Sequence, residues 1–210
     1  MLLEQQGRDD FVGENQLFAW VEKSPNVRLA PDVYLAQKGA VPLDGLVETW
    51  KPGLRPPPFA LEVVSEDRKK DYDNAPQQYA DLGVEELVVF DPAAEHVRSS
   101  KRRLLAMFRR QPDGRFAQVS AGGRPVYSEV LHAWVVPHRS NDMVYVRLAR
   151  DEAGKDLVPT ETEQMVVERR AKEAAIARAL VATARAEAAE AQNRELLEKL
   201  RALTAGPSSE

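Results

Sequence analysis

A mixed-sheet α/β domain followed by one long helix is the fold class this sequence predicts, on three observations. Short apolar runs rich in β-branched residues, FALEVV and ELVVF among them, have the length and composition of buried strands. A polar stretch ending in ADLG lies between those two runs, so strand, helix and strand fit into about thirty residues, a crossover that implies some parallel pairing. From about Thr160 to Leu203 Gly and Pro vanish while Ala, Glu and Arg dominate, which is the composition of a helix.

At 210 residues, 43% hydrophobic and 30% charged, the chain can hold one core of ordinary size plus an appendage. The expected division is an α/β domain over 1–150, a linker over 151–160, a long helix over 161–204 and a disordered tail over 205–210. There is no cysteine, which removes disulfides, zinc-thiolate sites and thiol nucleophiles together and fits a reducing compartment. No run approaches the roughly 18 apolar residues of a membrane span, and the first residues lack a charged segment followed by a long apolar one. A soluble, cytoplasmic protein without a membrane partner is the expectation. The formal charge of -4 argues against a chain held to nucleic acid by bulk positive charge, so that role would need a local basic face.

In chain order, DDFVGENQLFAWVEKS places Phe11, Leu17, Phe18 and Val21 at near-helical spacing and predicts a short helix, with Trp20 as a core or edge aromatic rather than a base-stacking platform. VRLAPDVYLA then predicts a strand, with Pro31 tolerated at an edge or a bulge. The density of Gly and Pro between Gln37 and Pro58 predicts a long irregular connection, anchored by Trp50. Phe59 to Ser65 is a strand. The next helix starts near Asn74 or Ala75 and closes at Gly83, a residue free to adopt the left-handed conformation. Glu86 to Phe90 is a further strand, stopped by Asp91-Pro92, and Leu61, Val63, Leu87, Val89 and Phe90 are expected in the core. A hairpin follows around Pro112-Asp113-Gly114, then a turn and one more strand or pair in SEVLHAWVVP and NDMVYVRLA.

In the C-terminal helix a heptad repeat runs through Ala175, Ala179, Ala182, Ala186, Ala189, Asn193, Leu196, Leu200 and Leu203, the pattern of a coiled coil that self-associates. An isolated charged helix is the alternative, because the alanine half of that seam buries little.

Asp32 and Glu62 carry the chemistry. Each is a carboxylate among residues that otherwise read as buried strand, where an ionised group is costly unless a metal or a partner compensates it. Oxygen-donor sites of this kind suit Mg²⁺ or Mn²⁺. Ser/His/Asp catalysis is poorly supported: His96, His132 and His138 lie in the later half, and neither a GxSxG turn nor a Gly-rich phosphate loop occurs. Arg98, Lys101, Arg102, Arg103, Arg109 and Arg110 form a run without carboxylates. It reads either as a solvated strand face or as an edge facing a phosphate backbone.

APDVYLA, LEVVSEDRKKDYDNAPQQYADLGVEELVVFDP, SEVL and the Ala/Glu/Arg-rich helix together resemble the Uma-type restriction-endonuclease family of the PD-(D/E)XK nuclease superfamily, over roughly Val27 to Pro137. The resemblance implies a nuclease-like mixed-sheet core and a metal-dependent site that hydrolyses DNA phosphodiester bonds. It also implies Asp32 and Glu62 as metal ligands and no further small-molecule cofactor. Two departures stand out. The superfamily lysine two positions after the second carboxylate is replaced by Val64, and the lysine usual in the family's following helix is replaced by Ala75, Gln77 or Gln78. Lys69 and Lys70 lie nearby, Lys70 being the preferred catalytic lysine because it directly precedes the family-like Asp71. Gln78 can orient a water but cannot supply charge. The resemblance therefore supports a Mg²⁺-dependent endonuclease first. The other reading is a catalytically silent nuclease fold that binds DNA, or a protein through its coiled coil.

Overall fold

The computed structural model describes residues 6–42, 45–65, 70–97 and 102–204. It consists of two units, one through Val158 and one from Pro159 onward. No helix among the described residues is long and apolar enough to cross a membrane.

The first unit is built on a six-stranded sheet. Its strands are β1 (Asp10–Gly13), β4 (Val33–Gln37), β6 (Phe59–Val63), β7 (Glu86–Phe90), β8 (Leu105–Arg110) and β9 (Phe116–Gly122), adjacent in that order. β6 and β7 run parallel and the other neighbours antiparallel, so the sheet is mixed, as the strand–helix–strand reading requires. Helix α1 (Ala75–Leu82) supplies the crossover. Proline stands at its start, where a missing N–H costs nothing, and Gly83 ends it at φ +104° with its N–H on the carbonyls of Tyr79 and Ala80.

One face of the sheet packs against α1 and a small sheet made of β2 (Phe18–Ala19), β3 (Arg28–Leu29) and β5 (Val47–Glu48). Phe18, Tyr34, Val47, Tyr79, Leu87 and Val89 fill that interface. The other face packs against β10 (Val126–Ser128), β11 (Ala133–Ser140) and β12 (Met143–Ala149) through Leu35, Leu61, Val88, Met107 and Val135. Covered on both sides, β7 is buried at all five residues, as a continuous apolar run should be.

Four expectations need correction. The N-terminal segment is not a helix: Phe11 and Val12 lie on β1, paired with Ala36 and Leu35, and Asn15 at φ 53° turns the chain toward β2. Alternation decides here, since Phe11 packs edge-on against Tyr34 while Val12 stays exposed. Val63 is 40% exposed, unlike the other four expected core residues, because it is the last residue of β6 and lies at the end of the sheet. Three strands rather than one or two close the first unit. Part of the expected linker is also ordered within it: Val158 N–H donates to Leu148 O (2.8 Å) and Arg150 N–H to Asp156 O (2.8 Å). The second unit is helix α2 (Glu161–Thr204), 44 residues without interruption.

Candidate functional site

Pro31 lies where the chain leaves the small sheet for the large one, and its carbonyl accepts from Asn15 N–H (2.9 Å). Asp32 follows, one residue before β4. In the antiparallel register Val33 faces Leu61 and Tyr34 faces Ala60, so continuing that register sets Asp32 opposite Glu62. Directly opposed residues have Cβ atoms about 4.5–5.5 Å apart. The Asp32 carboxylate is fixed at that point, its Oδ2 accepting the Val63 backbone N–H at 2.7 Å. β4 has not yet begun at this level, so a side chain takes the place of a neighbouring carbonyl.

Glu62 is 8% exposed and lies on the α1 side of the sheet. Burial of a carboxylate there is costly unless hydrogen bonds compensate it. Tyr79 on α1, 1% exposed, donates its hydroxyl to Glu62 Oε1. Sequence reasoning missed Tyr79, because a tyrosine on the buried face of a helix reads as packing. Its place one turn before Gly83, over a strand with a buried acid, was the available signal.

A second polar cluster adjoins the same end of the sheet. Asp91, just past β7, is fully buried and takes both oxygens to Arg102 Nη1 (2.7 and 2.8 Å). Tyr72, in the single π-helical turn Lys70–Asn74 before α1, donates to Asp91 Oδ2 (2.8 Å) and accepts from Arg103 N–H (3.1 Å). Burial pushes the Tyr72 phenol up to about 12, and the Asp91 carboxylate adds to the rise. Arg103 is exposed at this end.

The basic run is divided by the fold. Arg102 and Arg103 precede β8 at the carboxylate end. Arg109 pairs in register with Glu86, three residues and roughly 10 Å down the sheet from the row that holds Glu62. There Arg109 binds buried Glu86 (2.9 Å) and Glu129 (2.8 Å), while Arg110 donates to Ala80 O. Glu86 also accepts from Ser128 Oγ and Glu129 N–H, so its charge is satisfied inside the protein. A cavity of about 370 Å³ lined by Glu85, Glu86, Arg109 and Arg110 belongs to this distal end. Gln78 is exposed on α1. Ala75 is buried and Gln77 exposed on the same helix, and Val64 packs partly buried against the core. Lys69, Arg98 and Lys101 lie outside the described residues, as does the side chain of Lys70.

Among the described residues no third acidic or histidine side chain joins a metal-sized cluster with Asp32 and Glu62. Two opposed carboxylates nevertheless fit Mg²⁺, which is commonly held by one or two carboxylates and keeps several waters. The fold is a mixed-sheet α/β core with an acidic pair at the end of its central strands.

Residues 2–139 match the Uma2 family model, described as "Putative restriction endonuclease", and the chain belongs to that family. Among solved structures it is similar to "a putative nuclease belonging to DUF820 from Anabaena variabilis ATCC 29413", at 12% identity and a TM-score of 0.40. That match covers 62% of this chain and spans 65% of the other. No curated protein matches the sequence significantly.

Proposed function

We propose that this protein is a Mg²⁺-dependent endonuclease (Mn²⁺ serving in its place) that hydrolyses phosphodiester bonds of DNA. The observation that carries the reading is that the β4–β6 register, continued one residue, sets Asp32 opposite Glu62, the second carboxylate kept in a buried position that core packing alone would give to an apolar residue. Both would hold the ion, which when bound supplies Lewis acidity toward a phosphoryl oxygen and a water of lowered pKa. Tyr79 fixes the orientation of Glu62, and the Val63 N–H fixes Asp32. Lys70, at the start of the turn leading into α1, is assigned to the attacking water, with Gln78 as a neutral orienting group. Arg102 and Arg103, with Arg98 and Lys101 from the same segment, are assigned to phosphates. Arg109 and Arg110 are assigned to the fold instead, since their internal partners lie at the distal end. Helix α2 gives the enzyme its means of self-association.

A second reading is favoured by one observation. The resemblance implies a lysine two positions after Glu62 and another in the following helix; this chain has packed Val64 at the first place and Ala75, Gln77 and Gln78 in the helix, none of them charged, so the same fold would serve as a silent DNA-binding or protein-interaction module. Supercoiled plasmid decides between them. Nicking by the purified protein in Mg²⁺ or Mn²⁺, abolished by Glu62→Gln and by chelation, is the expected result. Equal nicking by Glu62→Gln, or none by the parent, overturns the endonuclease assignment.

A further inference from the structure

The seam of α2 points to a particular partner in a particular direction. The helix is continuous from Glu161 to Thr204, a length of roughly 66 Å, and Leu196 and Leu200 are 50% and 58% exposed on it. Alanine-rich composition accounts for the helix, but not for the four-then-three spacing that sets these leucines in line with Ala175, Ala179, Ala182, Ala186, Ala189 and Asn193. In that repeat Ala179, Ala186, Asn193 and Leu200 occupy the a positions, and Ala175, Ala182, Ala189 and Leu196 the d positions.

We infer that a second copy of this chain covers the seam as a parallel, in-register two-stranded coil. It rests on the self-association reading above and adds direction and register. Three features select that arrangement. In parallel register Leu196 and Leu200 each meet their own counterpart. An antiparallel pair that kept the alanines together would set Leu196 against Lys172 and Leu200 against Glu168. Asn193 meets Asn193 at an a position, where two amides satisfy each other and a shifted register would leave one unpaired. Beside the seam, Arg185 holds a g position and Glu190 the next e position, the pairing that joins opposite charges across two parallel strands, once on each side. Antiparallel alignment of the alanines brings Arg185 toward Arg185. The small side chains allow the helices to approach closely along the alanine half, and the leucine end supplies most of the apolar burial.

The natural absence of cysteine makes a single introduced thiol an unambiguous reporter. Ala189→Cys at a d position and Ala191→Cys on the outer face are compared in the full chain under mild oxidation, with mass measured by light scattering before oxidation. Twice the 23.5 kDa chain mass, with disulfide-linked dimer at least tenfold more abundant for Ala189→Cys, is the expected result. A doubled mass with equal cross-linking of the two variants, or with cross-linking only when Ala179→Cys and Ala189→Cys chains are mixed, overturns the parallel register while self-association stands. A single-chain mass across the micromolar range overturns both. The nicking assay on the same preparations reports the nuclease reading independently.

Discussion

Replacing Tyr79 by Phe removes one oxygen from the core beneath Glu62 and leaves the ring, hence the packing, in place. Glu62 is 8% exposed, so solvent makes up little of the lost hydrogen bond. A hydrogen bond to a charged group contributes about 1.5–3 kcal/mol, and the first unit should lose about 2 kcal/mol. Trp20, Trp50 and Trp134 all belong to that unit, so tryptophan fluorescence in urea follows it without interference from α2. With an m-value of about 2 kcal/mol/M the midpoint should fall by about 1 M at unchanged slope. In a Glu62→Gln background the acceptor is neutral and the same bond contributes only about 1 kcal/mol, so Tyr79→Phe should then cost about half as much. A midpoint within about 0.2 M of the parent, or equal losses in both backgrounds, would refute the assignment of Tyr79 as a group that compensates buried Glu62.

Three further outcomes follow from the geometry. Tyr72, raised to about 12 against an ordinary 10.0, should ionise well after a free phenol in an ultraviolet titration. Since the folded state holds its proton more tightly, its contribution to stability is complete below about pH 10 and lost as pH rises toward 12, and Tyr72→Phe should abolish that step. Arg109→Met should destabilise the fold by about 3–5 kcal/mol by stranding buried Glu86, whereas Arg103→Ala, at an exposed position, should cost the fold less and lower the salt dependence of DNA binding by about one ion. The reverse pattern in the two variants would return Arg109 to the DNA-facing set. Gly13→Ala would drive a Cβ to within 2.3 Å of the Tyr34 ring across the β1–β4 pair, and a loss of about 1–3 kcal/mol is expected in the same urea assay.

The central crossover was legible because each of its parts carries a local signal. A β-branched run marks β6, Gly83 closes α1, and an uninterrupted apolar run marks β7. The hairpin triplet Pro112-Asp113-Gly114 and the Gly- and Pro-free helix are local in the same sense. The N-terminal segment was misread because four apolar residues spread over eleven positions fit a helical period by chance. Strand β1 exists through its partner β4, more than twenty residues away, and nothing inside β1 announces that partner. Charge was the least legible property. The run from Arg98 to Arg110 looks uniform, yet register sets Arg109 opposite Glu86, and a loop end sets Arg102 on Asp91. The acidic pair could be nominated from residue type and family resemblance, but Tyr79 could not, since a hydroxyl's acceptor is a tertiary fact.

Asp32 serves the end of the sheet as well as any ion, because its carboxylate stands in for the strand neighbour that Val63 N–H lacks at that level. A lineage that gave up cutting DNA would therefore keep an acceptor at this position for architectural reasons, and an aspartate here is poor testimony of activity. Glu62 testifies better: with no ion to hold, a glutamine would relieve its desolvation and still accept from Tyr79. The structural duty of Asp32 and its proposed role as a ligand also part under different substitutions. Asp32→Asn retains an oxygen for Val63 and removes only the charge, whereas Asp32→Ala opens the strand end itself, so a dead Asp32→Ala enzyme would confuse a frayed sheet with a lost ligand.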